Sequence, residues 1–280
     1  VKKKRIKYCN STDIGAIGKT DQGSFEVVSQ DKPRWYTVKF LVTGYTKSVR
    51  KDYLVEGSMT DPYFPSKYGV GYLGEGPYKT TSDIVRACGT KYKATPEYSR
   101  WNSMMGRCYQ LANTEYLRYG ALGTYVCEAW HNFQVFAKFF DDNWTEGLDL
   151  DKDILVYGNK CYSPETCVFV PKYINNLLVH TKNVLNGYPV GVYYQKQGPN
   201  MVNPLRKPFT SEIDKKNLGF YVTPQEAHKA WQEAKADKIF SSVNRYSEEK
   251  FFDSRVADAL LSKAWKLKTD AQLGIETVRL

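Results

Sequence analysis

"GLDLDKDILVYGNKCYSPETCVFVPKYIN", residues 147–175, decides how the centre of this chain folds. The alternation over 148–156 predicts a strand with Asp149, Asp151 and Asp153 on one face, because strand side chains repeat every second residue. "GNKCYSPET" (158–166) supplies a turn, "CVFV" (167–170) a short buried strand, and Pro171 opens a helix through "KYINNLLVH" (172–180). The order is strand, strand, helix.

Two aromatic helices are expected upstream of it. "EYSRWNSMMGRCYQLA" (97–112) places Trp101, Met104, Met105 and Cys108 at helical spacing, and "CEAWHNFQVFAKFFDDNW" (127–144) does the same with Trp130, Phe133, Phe136, Ala137 and Phe140. Such stripes read as core. Before them, "KYGVGYLGEGPYKTTS" (67–82) is glycine-rich and reads as a linker or extended strap. Residues 25–56 read as strands: "SFEVV", "RWYTVKFLV" and "KDYLVEG". Lys39, Lys47, Arg50 and Lys51 are available on the outer face of that module.

Downstream, "GVYYQKQ", "RKPFTSEID" and "LGFYV" read as three strands, and "TPQEAHKAWQEAKADKIF" as a helix. Thr223 is its cap, Pro224 its first turn and Glu226 the far side of a capping box. Ala227, Ala230, Trp231 and Ala234 form the face expected to pack on the sheet. "SEEKFFDSRVADALLSKAWKLK" (247–268) reads as a last amphipathic, basic helix. The expectation is an α+β chain in four segments. These are a small basic β-rich module (1–80), a central ββα domain with flanking helices (81–186), a three-stranded sheet plus helix (187–246) and a helical extension (247–280).

Of 280 residues, 42% are apolar, enough to bury real cores, and no run of about 18 apolar residues suggests a membrane span. An intracellular, cytoplasmic, soluble protein is expected. Six cysteines form no CxxC pair. A zinc site built from Cys108, Cys127, Cys161 and Cys167 has irregular spacings. The net charge of +10 divides into +6 over residues 1–80, −1 over 81–180 and +5 over 181–280. Basic flanks around a centre that keeps its carboxylates suit a polyanion gripped from outside, and nucleic acid is the expected partner.

On a strand–strand–helix scaffold, the first strand can supply a metal-binding carboxylate and the helix a second oxygen ligand. Asp151 and Asn175 fit those positions, with Asn176 as a register alternative. Hard oxygen ligands imply Mg²⁺, or Mn²⁺ in its place.

Residues 97–180, roughly a third of the chain, resemble the HNH (ββα-metal) endonucleases of bacteriophages, including the homing type. The resemblance rests on Trp101, Met104, Arg107, Cys108 and Tyr109, on "YLRYGALGTYVCEAWHNFQVF", and above all on "DKDILVYGNKCYSPETCVFVPKYINN". It implies metal-assisted hydrolysis of duplex DNA, by nicking or double-strand cleavage, with Asp151 and Asn175 on the metal. The family's middle asparagine, which braces the hairpin loop, falls at Thr166. Where the family has histidine as general base this chain has Lys152, a poor base while charged. Three routes remain open: a desolvated Lys152, a histidine reaching in (His180 or His131), or a metal that acidifies its own water. The alternative is a non-catalytic DNA-binding protein on a degenerate HNH fold.

Residues 189–246 resemble the ethylene-response-factor type of DNA-binding domain, on Gly191, Val192, Tyr193, Leu218, Gly219, Thr223, Pro224, Glu226 and Ala227. That likeness implies a sheet entering the major groove. Lys196, Arg206 and Lys207 are its DNA-contact candidates, and Arg50 and Lys51 are those of the N-terminal module.

Overall fold

A computed structural model describes residues 9, 11–82, 93–178, 187–195 and 205–278. Its strands and helices make an α+β protein. In chain order the first elements are β1 (Ile17–Thr20), β2 (Gly23–Lys32), β3 (Trp35–Phe40), β4 (Thr46–Arg50), α1 (Lys51–Glu56), β5 (Thr81–Ser82), β6 (Lys93–Ala94) and α2 (Pro96–Tyr109). There follow β7 (Tyr125–Val126), α3 (Phe133–Asn143), β8 (Leu148–Asp151), β9 (Cys161–Tyr162), β10 (Val168–Pro171) and α4 (Lys172–Asn175). The last are β11 (Val192–Tyr194), β12 (Phe209–Ile213), β13 (Lys216–Tyr221), α5 (Pro224–Tyr246) and α6 (Ser254–Leu273).

The chain forms two compact units, Val1–Asp142 with Lys160–Ser163, and Asn143–Asn159 with Pro164–Leu280. The division falls inside the expected 81–186 segment. No helix of the described residues is long and apolar enough to cross a membrane.

In the first unit, β1 to β4 form an antiparallel meander in sequence order. Phe25, Val27, Tyr36, Val38 and Phe40 alternate into its core, with Val49, Leu54 and Met59. "KDYLVE" is a helix here, not the expected strand. Only Leu54 of it is buried, and Gly57 at φ 60° takes the left-handed cap that lets the Gly57 and Ser58 N–H groups bond back to Leu54 and Tyr53. Six residues with three apolar ones cannot separate a period of two from 3.6, so the left-handed glycine decides.

The glycine-rich strap packs on α2 and α3. A Cβ on Gly71 would meet Met105 at 2.8 Å and Trp101 at 3.0 Å, so glycine is needed for the close approach. The aromatic stripes are core as expected: Trp101 donates through Nε1 to the Trp130 carbonyl at 2.7 Å, and both are fully buried.

In the second unit, β8 and β10 pair antiparallel, Asp151 opposite Val168 and Leu148 opposite Pro171, and α4 follows directly. Strand, loop, strand and helix are therefore present. Their apolar residues Ile154, Val168, Val170, Ile174 and Leu177 lie in one core with Trp231, Ile239 and Val243 of α5 and Val256, Leu260 and Leu267 of α6. Residues from the three segments expected at 81–186, 187–246 and 247–280 thus meet in that core.

The three-stranded sheet β11–β12–β13 is antiparallel, with a bulge at Ser211/Glu212, and packs on α5, whose capping box of Thr223 and Glu226 is formed. The buried face of α5 is wider than the expected alanine stripe. His228, Gln232, Lys235 and Ala236 are buried beside Ala227 and Trp231, whereas Ala230 and Ala234 are half-buried, because α6 covers a second side of the helix.

Candidate functional site

β8 ends at Asp151 because the aspartate's own side chain turns the chain. Oδ1 accepts the N–H groups of Asp153 and Ile154, each at 2.7 Å, which caps the turn and takes residue 153 out of the strand's alternation. The expected row of three aspartates is therefore two, Asp149 and Asp151, with Asp153 in the turn. Oδ2 of Asp151 makes no hydrogen bond or ion pair with any described residue. Burial pushes this carboxyl above the usual carboxylate range, against the two N–H bonds that pull it down.

Asn175 is half-buried near the end of α4, which packs against β8. Its side-chain amide has no hydrogen-bond partner among the described residues. The register alternative, Asn176, is exposed. Asp151 and Asn175 thus sit on contacting elements of one unit, each with a side-chain oxygen that bonds no described residue.

Lys152 lies in a closed loop contact. Its side chain is 8% exposed, and its ammonium bridges Asp153 Oδ1 at 2.6 Å and the Asn159 carbonyl at 3.1 Å. Asn159 Nδ2 donates back to the Lys152 carbonyl at 2.7 Å. An ammonium donating to two acceptors has no lone pair with which to take a proton. The pair closes the loop between β8 and β10, so Asn159 is a bracing residue of that loop. Sequence reasoning missed Asn159, although Gly158 before it, at φ 72°, is the turn signal that marked the position.

His131 lies in the first unit with Nε2 3.0 Å from the Val126 carbonyl and 3.5 Å from the Tyr109 hydroxyl, and so braces the β7 segment. His180 and Lys196 lie outside the described residues.

The candidate DNA face is the outer side of the β11–β13 sheet. Tyr193, Thr210 and Phe220 form one cross-strand row there, while the adjacent row of Val192, Ser211 and Gly219 faces α5. Arg206 and Lys207 are exposed just before β12. Arg50 and Lys51, at the junction of β4 and α1, are exposed as well, with Arg50 bonded to Asp52 at 2.7 Å.

No family model, curated protein or solved structure matches this chain.

The donor set limits which ion could bind. Five described cysteines carry free thiols, and among the described residues no group of three or more His, Cys, Asp or Glu side chains is placed to hold an ion. One carboxylate and one amide are enough for Mg²⁺, which keeps several waters and takes substrate phosphate oxygens as its remaining ligands. Asp151 and Asn175 fit a cation of that kind.

Proposed function

We propose that this protein is a duplex-DNA endonuclease in which Asp151 and Asn175 hold Mg²⁺ or Mn²⁺ for phosphodiester hydrolysis. The observation that carries the reading is Asp151 itself. One of its oxygens is locked by two backbone N–H groups, and the other bonds no described residue at the end of β8, beside the helix bearing Asn175. A half-buried carboxylate without a partner for its second oxygen is costly unless a cation or proton meets it. The bound ion would supply charge stabilisation at the scissile phosphate and the leaving oxygen.

The chain's own contribution is positional. Two N–H bonds fix the Asp151 rotamer, and the Lys152–Asn159 pair fixes the loop behind it. With Lys152 engaged in that pair, the proton from water passes to some other acceptor. The outer sheet face is the right width for the major groove, and the basic flanks supply phosphate contacts. A second reading, a DNA-binding protein that does not cut, is favoured by the same burial of Lys152, since no described group replaces it as base.

Supercoiled plasmid incubated with protein and Mg²⁺ or Mn²⁺ tests both. Nicking or linearisation is expected, reduced about a hundredfold or more in Asp151→Asn. That variant keeps an oxygen for the turn. Lys152→Met should still cut within about tenfold while losing stability, because it leaves the Asp153 and Asn159 acceptors without their donor. Tight binding without cutting under either metal would establish the second reading. Neither binding nor cutting would remove both.

A further inference from the structure

The sheet of the first unit carries a separate feature, a cavity of about 250 Å³ at its edge strand β4. Buried Val49 and Met59, the aromatic residues Trp35 and Tyr53 and the basic residues Lys47 and Arg50 line it, from both faces of the edge strand. Its lining residues include no carboxylate. We propose that this cavity binds one unpaired nucleotide of single-stranded DNA, with the base against Trp35 and Tyr53 and the phosphate on Lys47 and Arg50.

Three features of the site select that ligand. Tyr53 is 52% exposed and its hydroxyl is unengaged among the described residues, so its ring is presented to solvent rather than used in the core. Around the cavity, Arg50 and Arg34 share the single carboxylate of Asp52, at 2.7 and 3.1 Å, which leaves one positive charge over. Lys32, with Nζ 4.9 Å from the centre of the Trp35 ring, offsets the neighbouring Asp31 carboxylate, and Lys47 adds a second surplus cation. The wall is also rigid. Asp31 accepts hydroxyls from Ser29, Thr37 and Ser48 at 2.7 to 2.9 Å, tying β2, β3 and β4 together beside the cavity.

Aromatic rings take any base through its π-face, and lysine and arginine take the phosphate, the combination that single-strand binding sites use. The volume lies just under the ~300 Å³ of the smaller ligand pockets, room for one ring and its phosphate but not for a paired step. The reading goes beyond duplex cleavage, since the residues belong to the other unit and none is a ligand of the proposed cation site.

The test compares fluorescence anisotropy of labelled dT12 with an abasic strand of equal length and charge, using the full chain. The abasic strand is expected to bind about tenfold more weakly, and Trp35→Leu and Tyr53→Leu each to lose about tenfold for dT12 and little for the abasic strand. Lys47→Ala should lower the slope of log affinity against log salt by about 0.7. Tyr53 and Lys47 are exposed, so these two variants remain informative if Trp35→Leu fails to fold. Equal affinity for the two strands, or Tyr53→Leu and Lys47→Ala both binding dT12 as wild type does, would overturn the proposal. Plasmid cutting by the same variants reports on the endonuclease reading separately.

Discussion

Lys235 gives the sharpest stability prediction. It lies on α5 at 5% exposure and makes no hydrogen bond or ion pair with a described residue. The nearby Asp214 carboxylate bonds Lys238 instead. Burial pulls the Lys235 ammonium from 10.5 down to about 8, Lys238 adds to the fall, and Asp214 opposes it. A depression of that size corresponds to about 3 kcal/mol of penalty on the charged form. The sign follows from proton counts. Below pH 8 both states hold the proton, and the folded state bears the whole penalty. Between pH 8 and 10.5 only the unfolded chain still holds it, so stability rises with pH, and above 10.5 the penalty is gone. Lys235→Met keeps most of the stem and removes the charge. It should stabilise the protein by about 2 kcal/mol at pH 7 after allowance for residual hydration, raising Tm by roughly 5 °C. Urea titrations of variant and wild type at pH 7 and pH 10.5 measure the difference, which should shrink to near zero at the higher pH. A variant no more stable than wild type at pH 7, or a gain that persists unchanged at pH 10.5, refutes the reasoning.

Two further outcomes follow from α5. His228 is buried, with Nδ1 2.9 Å from the Val190 carbonyl and Nε2 accepting the Thr277 N–H at 3.0 Å, so it is neutral with its proton on Nδ1. Burial holds its folded pKa below 6.5, which means the unfolded chain binds the proton first as pH falls, and stability should drop below about pH 6.5. Thermal melts from pH 7.5 to 5 should show that drop, and His228→Gln should flatten it. Gly191 has φ 77°, and a Cβ there would lie 2.1 Å from the Trp231 ring. Gly191→Ala should cost about 2 kcal/mol or more, read as a lower urea midpoint with unchanged slope.

The parts of the fold legible in the sequence are those specified by neighbours along the chain. Thr223, Pro224 and Glu226 start α5 through bonds within one turn, and the stripes of α2 and α3 repeat at helical spacing over about two turns. Where local signals are short or balanced, reading along the chain fails. "KDYLVE" has too few residues to show a period, and Gly57 settles it. The strand through 156 stops at Asp151, because a carboxylate that captures two N–H groups outcompetes continuation of the ladder. His228 and Gln232 fall outside the expected alanine stripe and are buried, since Ile275 and Thr277, more than forty residues further on, bond to them.

At the candidate site the sequence alone determined the strand–strand–helix order and put Asp151 on the first strand and Asn175 on the helix, because both follow from local pattern and turn chemistry. Only the tertiary structure decided what Lys152 does. In the sequence Lys152 stands where the resemblance places a general base. Folding closes the loop so that Asn159 and Asp153 meet its ammonium, and a buried cation with two acceptors at hand is held there by the cost of leaving any of the three unpaired.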